Sequence, residues 1–154
     1  MILLKGALLG LGATILFDLW LVLRGGGGVP DMTGMGRWVW HLRRGKVFHD
    51  DIAQAEPFAR EIPLGWAFHY AVGIVYGVVF VLLLGPGWLA APTLLPASAF
   101  GIATLAAGWF LLQPGLGAGV AASRTPNPGR QRIEGLVGHT VFGLGLWLTA
   151  LLIR

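Results

Sequence analysis

The sequence predicts an all-α membrane protein: four transmembrane helices in a bundle, with a short interfacial amphipathic helix after the first span. Hydrophobic residues make up 55% of the 154 residues and charged residues only 12%, whereas soluble proteins average about 25% charged. The charges are concentrated between four apolar stretches, each long enough for a bilayer-spanning helix of roughly 20 residues. These spans leave no room for a separate soluble domain, so we expect residues 1–154 to form a single membrane domain.

The first span is predicted over residues 2–23, where Lys5 and Asp18 are the only charged residues. The four consecutive glycines that follow it end the helix, since glycine weakens helical backbone. We interpret the stretch as a retained helix and not a secretory signal, because Asp18 and bulky residues stand where a cleavage site needs small ones. Gly6 and Gly10 offer a small-residue face for close helix packing.

The loop of residues 24–63 contains a second helical pattern. In its run MGRWVWHLRR, Arg37, His41 and Arg44 fall at helical spacing on one side, and apolar residues gather on the other. This pattern predicts the interfacial helix, with tryptophans at headgroup depth and arginines towards lipid phosphate. The polar residues after it are expected to form a loop with one short helical turn.

The other three spans are predicted over residues 64–84, 92–112 and 133–153. A tight uncharged turn, LGPGW, joins the second span to the third as a helical hairpin. Residues 113–132 form the second loop, where two prolines and an Asn-Pro step argue against regular helix in SRTPNPGRQR. The apolar residues 115–122 of this loop either extend the third helix past a kink or form an interfacial segment.

Basic residues are distributed unequally between the two sides of the membrane. Nine of the 11 Lys and Arg residues lie in the loops 24–63 and 113–132, against Lys5 and Arg154 on the other side. The positive-inside rule therefore predicts that both loops are cytoplasmic and that both termini lie outside the cytoplasm. Attraction to anionic lipid explains the same charges, so we expect the lipid bilayer as partner and no nucleic acid.

Each predicted span carries one polar group near its cytoplasmic end. Asp18, His69 and His139 each lie about six residues inside their spans, or roughly 8–9 Å deep at 1.5 Å per residue, and Gln113 ends the third span. Ionisable groups at such depth are costly and mark functional sites by default. We expect the four groups to point inward and to pair with one another.

Our working hypothesis is a non-enzymatic protein that binds a small ligand, an ion or a lipid headgroup in a pocket floored by this cluster, with transport as one form of the role. Four loop residues would form a basic rim that favours an anionic ligand: Arg37, His41, His49 and Arg124. One alternative is that the cluster only satisfies its own hydrogen bonds. The protein would then have a structural or assembly role.

A further alternative is a haem or metal-binding oxidoreductase subunit. His69 and His139 would supply two imidazoles, and Asp18 a third ligand or a partner to one of them. No paired-histidine spacing supports this alternative, and the absence of cysteine excludes disulfides, thiolate metal sites and thiol catalysis. No nucleophile motif points to hydrolysis, and the alternating glycines of residues 115–119 lack the strand and helix of a dinucleotide motif. The sequence indicates no particular cofactor or oligomeric state.

Six motifs spread over nearly the whole chain are similar to those of a known family. They are Gly12-Ala13-Thr14 with Asp18-Leu19-Trp20, Gly36-Arg37-Trp38 with His41, Gly65-Trp66 with His69-Tyr70, Pro92-Thr93-Leu94-Leu95-Pro96, Gln113-Pro114, and Ala121-Ala122-Ser123-Arg124-Thr125-Pro126-Asn127-Pro128 followed by His139. On these motifs the chain resembles the small bacterial membrane proteins known as domain of unknown function twenty-nine thirty-eight. The resemblance implies a four-span protein of the bacterial inner membrane. It implies no activity and no catalytic residue.

Overall fold

The computed structural model describes residues 1–153 and contains no strand within them. Arg154, which the charge count places beyond the fourth span, lies outside the described residues. The helices long and apolar enough to cross a membrane are Ile2–Arg24, Glu61–Ala90, Leu94–Leu116 and Pro128–Ile153. The predicted fold class, an all-helical membrane protein with four spans, is confirmed.

Six α-helices follow one another in the part of the chain that is described. They are α1 (Ile2–Arg24), α2 (Thr33–Leu42), α3 (Glu61–Ala90), α4 (Leu94–Ala107), α5 (Gln113–Leu116) and α6 (Pro128–Ile153). A π-helical turn, Gly108–Leu112, joins α4 to α5, so the third span is a continuous helix with one wider turn. Short 3-10 turns lie in the two long loops, at Ile52–Gln54 and Val120–Ala122.

The second span is longer than predicted. α3 begins at Glu61, three residues before the predicted start, because Pro63 is tolerated within the first turn of a helix. At the other end, Gly85 has a φ of 73° and interrupts the helix, and residues 86–90 form a further helical turn. The connection to α4 is therefore longer than a tight LGPGW turn, and α4 begins at Leu94 instead of residue 92.

The second loop also contains more helix than predicted. α6 begins at Pro128, because proline lacks an N–H that the first turn of a helix would leave unpaired. The Asn127 side chain accepts a hydrogen bond from the Arg130 backbone N–H at 3.2 Å, as a helix-capping residue does. Residues 115 and 116 extend the third helix, and Gly117, at φ 93°, ends it.

Contacts within the chain group the residues into two units. Unit 1 comprises Met1–Pro30, Tyr70–Thr104 and the described residues from Leu136 onward. Unit 2 comprises Asp31–His69 and Leu105–Gly135. Unit 1 thus contains part of every span, and unit 2 contains the first basic loop from Asp31 onward and all of the second.

Helices of unit 1 pack through glycines. A Cβ atom on Gly10 would collide with the backbone of Gly73, and one on Gly77 would collide with the backbone of Gly6. α1 and α3 therefore cross in backbone contact, and the predicted small-residue face of the first span is confirmed. Such faces are typical of membrane helices, which gain little from apolar burial alone.

The other helices of unit 1 complete the bundle. A Cβ atom on Gly101 of α4 would lie 2.7 Å from Gly143 of α6, so these helices also cross closely. Between α3 and α4, the rings of Phe80 and Phe100 lie 5.1 Å apart. Phe80 and Leu146 of α6 are fully buried in this core.

α2, in unit 2, forms where the amphipathic pattern predicts a helix. The surroundings of its tryptophans differ from the prediction. Trp38 is only 3% exposed, and its indole N–H donates to the Val47 carbonyl oxygen at 2.7 Å. Its ring packs edge-on against Phe68 at 5.8 Å. Trp38 therefore contacts protein groups and not lipid headgroups. Trp40 stacks on Phe58, with ring centroids 4.4 Å apart.

Candidate functional site

Asp18 and His139, the two predicted site residues of unit 1, have partners outside the predicted polar cluster. The Asp18 carboxylate accepts a hydrogen bond from the Tyr70 hydroxyl. His139 Nδ1 lies 2.9 Å from Thr104 Oγ1 and 3.2 Å from the Gly101 carbonyl oxygen. Because the Thr104 hydroxyl itself donates to Gly101, Nδ1 carries a proton and donates to both oxygens. These contacts join α4 to α6, as the packing alternative predicts.

The two predicted site residues of unit 2 lie on α3 and α5. The His69 ring contacts Trp66 edge-on, with centroids 5.9 Å apart. Gln113 follows the π turn, and its Oε1 atom is buried without a hydrogen-bond partner among residues 1–153. The indole nitrogen of Trp109 is also buried and unpartnered within the same residues. Each such group costs about 1–3 kcal/mol, so a polar molecule beside them would be stabilised.

The metal alternative finds no matching set of donor atoms. Within either unit of residues 1–153, no three His, Asp or Glu side chains lie close enough to hold one metal ion. The Nδ1 atom of His139 already donates to protein oxygens. Among the described residues there is therefore no cluster of three such side chains for a metal ion.

Arg37, predicted for the basic rim, is engaged with protein groups. Its Nε and Nη2 atoms donate to the two carboxylate oxygens of Glu61 at 2.8 and 3.0 Å. Its Nη1 atom donates to three backbone oxygens of the loop, those of Ile52, Ala53 and Ala55. The hydrogen bond to Glu61 raises the pKa of the Arg37 guanidinium above its usual value. Arg37 thus connects α2, the loop and the start of α3, which favours a structural role.

His41, also predicted for the rim, holds the same loop. It is 5% exposed, and its Nε2 atom lies 2.9 Å from the Glu56 carbonyl oxygen. Arg44 donates to the Glu56 carboxylate at 2.7 Å, and this hydrogen bond lowers the pKa of that carboxyl. The contacts of His41 favour a structural role for it as well. Its ring meets the His49 ring edge-on at 5.2 Å.

His49 and Arg124 are the rim residues that the structure brings together. They line one cavity of about 400 Å³ in unit 2. The cavity is lined by Lys46, Phe48, His49, Asp50, Pro114, Gly119, Val120 and Arg124. Lys46 and Arg124 are exposed, and neither forms an ion pair with a carboxylate among residues 1–153. Both cations therefore remain available to a ligand.

Close backbone contacts hold the two walls of this cavity together. The backbone N–H of His49 donates to the Gly115 carbonyl oxygen at 3.2 Å, and its Nδ1 atom donates to the same oxygen at 2.9 Å. A Cβ atom on Gly117 would collide with the backbone of Asp50. The alternating glycines of this loop, which match no dinucleotide motif, are thus explained by the approach of residues 46–51.

Two alanines beside the cavity have strained backbone. Ala121 and Ala122 have φ values of 48° and 60°, in the left-handed region that costs a residue with a side chain roughly 1–2 kcal/mol. Arg132 Nε donates to the Ala121 carbonyl oxygen at 2.8 Å, and Thr125 Oγ1 donates to that of Ala122 at 2.8 Å. Backbone strain held in place by neighbouring groups tends to occur at functional sites.

Sequence reasoning missed Lys46, Phe48 and Val120 as lining residues. Lys46 and His49 are three residues apart in the first loop, and that proximity was the one available signal. Their connection to Arg124 depends on a hydrogen bond between residues 66 positions apart, His49 and Gly115. No local pattern predicts such a contact.

Comparison with known proteins adds a family. The sequence profile described as "Protein of unknown function (DUF2938)" matches residues 7–153. The chain belongs to this family. No curated protein matches the chain, and no solved structure does. DUF2938 membership confirms the resemblance stated from the motifs and carries no activity, so function is argued from the site.

The cavity of this DUF2938 protein combines a cationic and an apolar surface. Lys46 and Arg124 supply N–H donors, which suit phosphate oxygens. Phe48 and Val120 are 62% and 51% exposed at the same cavity. Exposed apolar groups beside cations are typical of segments that lie at a membrane surface. The arrangement fits a phosphate group that carries apolar chains.

Proposed function

We propose that this DUF2938 protein binds the phosphate of an anionic lipid headgroup in the cavity of unit 2. The observation that carries the proposal is the convergence of two unpaired cations, Lys46 and Arg124, beside the exposed Phe48 and Val120. The Arg124 guanidinium has the planar geometry that binds two phosphate oxygens, and Lys46 adds a point charge. Inorganic phosphate shares the ionic part of this chemistry, and the apolar edge favours the lipid.

The carboxylate of Asp50 limits which headgroups suit the cavity. Asp50 places a carboxylate among the lining residues, so the fixed charges of Lys46, Arg124 and Asp50 sum to one positive charge. A phosphodiester with one negative charge neutralises this net charge, whereas a dianionic phosphate monoester would leave one negative charge uncompensated beside the carboxylate. The favoured ligand is therefore a phosphodiester headgroup such as that of phosphatidylglycerol.

We also propose an orientation and a membrane for this site. The excess of Lys and Arg in the loops 24–63 and 113–132 favours a cytoplasmic position for both loops. The cavity would then lie at the inner leaflet of the bacterial inner membrane, where anionic headgroups attract basic side chains. Both termini would lie outside the cytoplasm.

Thermal unfolding of the purified protein in a non-ionic detergent tests the binding proposal. Phosphatidylglycerol is expected to raise the Tm of wild type, inorganic phosphate to raise it less, and phosphatidylcholine to leave it unchanged. Arg124→Gln should lose at least half of the phosphatidylglycerol shift. Arg60→Gln is the matched control, because Arg60 is an exposed arginine of unit 2 outside the cavity. Equal shifts in both variants, or equal shifts with the two lipids, would contradict the proposal.

A structural or assembly role is the second candidate function. It is favoured by the contacts of His139 with Thr104 and of Asp18 with Tyr70, which give two of the predicted site residues partners on neighbouring helices. This role predicts that Arg124→Gln leaves the Tm shift with phosphatidylglycerol unchanged. It also predicts that bulky residues at Gly73 or Gly77 abolish the folded protein, because those positions lie in a helix crossing.

A further inference from the structure

We infer that Arg132, which lies outside the cavity, is a positioning residue for the proposed headgroup site. Its hydrogen bond to Ala121 holds the turn of residues 118–124 in the conformation that brings Arg124 to the cavity. The inference rests on the proposed function, in which Arg124 binds the phosphate. It adds a residue that does not line the cavity and that the charge count treats like its neighbour Arg130.

The turn of residues 118–124 is closed by backbone hydrogen bonds. The Arg124 N–H donates to the Ala118 carbonyl oxygen at 2.8 Å, and the Ala118 N–H donates to that of Gln113 at 2.9 Å. Gln113 belongs to the third span. The backbone of Arg124 is therefore attached to the end of that helix, and the conformation of the turn determines in which direction the Arg124 side chain leaves it.

The conformation of this turn is one that its own residues disfavour. Gly119, Ala121 and Ala122 have φ values of 74°, 48° and 60°, and only glycine adopts this region without steric cost. Strained backbone of this kind persists where neighbouring groups hold it in place. The turn therefore depends on contacts from residues outside it.

Arg132 supplies the contact that comes from another helix. The Ala122 carbonyl oxygen accepts hydrogen bonds from the N–H and the hydroxyl of Thr125, which directly follows the turn. The Ala121 carbonyl oxygen accepts from Arg132 Nε at 2.8 Å. Arg132 lies near the start of α6, so this bond attaches the turn to a long helix. Because its donor is charged, it is stronger than a bond between neutral groups.

The side chain of Arg124 packs against the turn. A Cβ atom on Gly119 would lie 2.9 Å from Arg124 Cγ and 3.1 Å from the Arg124 backbone nitrogen. Gly119 itself lines the cavity, so the stem of Arg124 passes beside the cavity wall. A change in the conformation of the turn would therefore move the guanidinium relative to the cavity.

A double-mutant cycle tests whether Arg132 acts through Arg124 or through its own charge. Isothermal titration calorimetry in dodecyl maltoside measures the affinity of each variant for dioctanoylphosphatidylglycerol. Arg132→Gln is expected to weaken this affinity at least threefold. Arg130→Gln, which removes the same charge from the same end of α6, should leave it unchanged. The double variant Arg124→Gln/Arg132→Gln should bind as Arg124→Gln does, because a positioning residue has no effect once the residue that it positions is removed.

Ala121→Gly separates positioning from support of the fold. Glycine adopts a φ of 48° without strain, so the ligand-free variant should unfold at the Tm of wild type or above it. The same change allows the turn other conformations and should weaken the affinity for dioctanoylphosphatidylglycerol at least threefold. A merely structural role for this turn predicts that affinity is lost only where Tm falls.

The outcomes distinguish this inference from the proposed function. Wild-type affinity in Arg132→Gln or in Ala121→Gly would overturn the inference and leave the headgroup site in place. So would a double variant that binds more weakly than Arg124→Gln by the full factor of Arg132→Gln. Wild-type affinity in Arg124→Gln would contradict the proposed function itself, and the inference with it.

Discussion

Two arginines of unit 2 have opposite surroundings, which favour a structural role for one and the proposed ligand-binding role for the other. Arg37 donates to Glu61 and to three backbone oxygens, and its side chain is 13% exposed. Arg124 is exposed at a cavity and pairs with no carboxylate among the described residues. Both arginines belong to the basic rim that the sequence predicts. Sequence alone treats them as equivalent, because it does not reveal which guanidinium has protein partners.

Arg37→Met is expected to destabilise the protein by about 1–3 kcal/mol, because the Glu61 carboxylate and three backbone oxygens lose their donor. Thermal unfolding of detergent-solubilised protein measures the loss. Arg60→Met removes the same charge from an exposed position and should change stability little. Similar stability of the two variants would show that the Arg37 contacts contribute nothing beyond charge.

Acidification should weaken the contact between Arg44 and Glu56. The hydrogen bond from Arg44 lowers the pKa of Glu56 in the folded protein, so the stabilisation is complete above the ordinary glutamate pKa of about 4.3. It is lost as pH falls through the lowered value. Glu56→Gln should therefore lower the Tm slightly at neutral pH and reduce the fall of Tm in acid. An unchanged acid dependence of Tm would assign that fall to other carboxyl groups. Asp31 is one of them, because hydrogen bonds with Thr33 lower its pKa.

The spans could be predicted from hydropathy, whereas their ends and irregularities could not. The long apolar stretches identify four membrane helices because bilayer thickness dictates their length. The start of α6 at Pro128 depends on a cap from Asn127, which overrides the general tendency of prolines to prevent helix. The π turn of the third span has no sequence signature and appears only in the backbone. Trp38 matches an interfacial pattern but is buried, because Val47 supplies its hydrogen-bond acceptor.

Gly10→Ala should destabilise the crossing of α1 and α3 by about 1–3 kcal/mol, since the added methyl collides with the Gly73 backbone, which cannot move as a side chain can. Gly87→Ala is the matched control, because nothing lies within 4 Å of its added methyl group. Thermal unfolding and gel filtration in detergent compare the variants. Equal behaviour would mean that the crossing is looser than the structure describes.

The proposed topology can be tested with single cysteines, because the chain has none of its own. Arg60 precedes α3 in the first basic loop, Gly129 lies in the first turn of α6 beside the second, and Gly87 lies in the helical turn that follows Gly85 at the other end of α3. A membrane-impermeant maleimide should label Gly87→Cys in intact cells and the other two only after permeabilisation. The opposite pattern would reverse the orientation and place the cavity at the outer leaflet.

The candidate site was only partly predictable, for a reason that belongs to the whole chain. His49 and Arg124 could be proposed as rim residues, because basic residues beside spans attract anions. The cavity that contains them exists because residues 46–51 and 113–124 meet through Gly115 and Gly117. Such contacts between distant segments are set by tertiary folding. Asp18 and His139, which the sequence also predicts as site residues, contact Tyr70 and Thr104 of neighbouring helices.

Lipid retention measured by native mass spectrometry tests the central claim most directly. Wild type, Arg124→Gln and Arg60→Gln are released from detergent after equilibration with equal amounts of phosphatidylglycerol and phosphatidylcholine of matched chains. Wild type and Arg60→Gln are expected to retain one phosphatidylglycerol in preference to phosphatidylcholine. In Arg124→Gln, the ratio of retained phosphatidylglycerol to retained phosphatidylcholine is expected to be at least fivefold lower than in wild type. Equal retention of the two lipids by wild type, or an unchanged preference in Arg124→Gln, would contradict a phosphate site in this cavity.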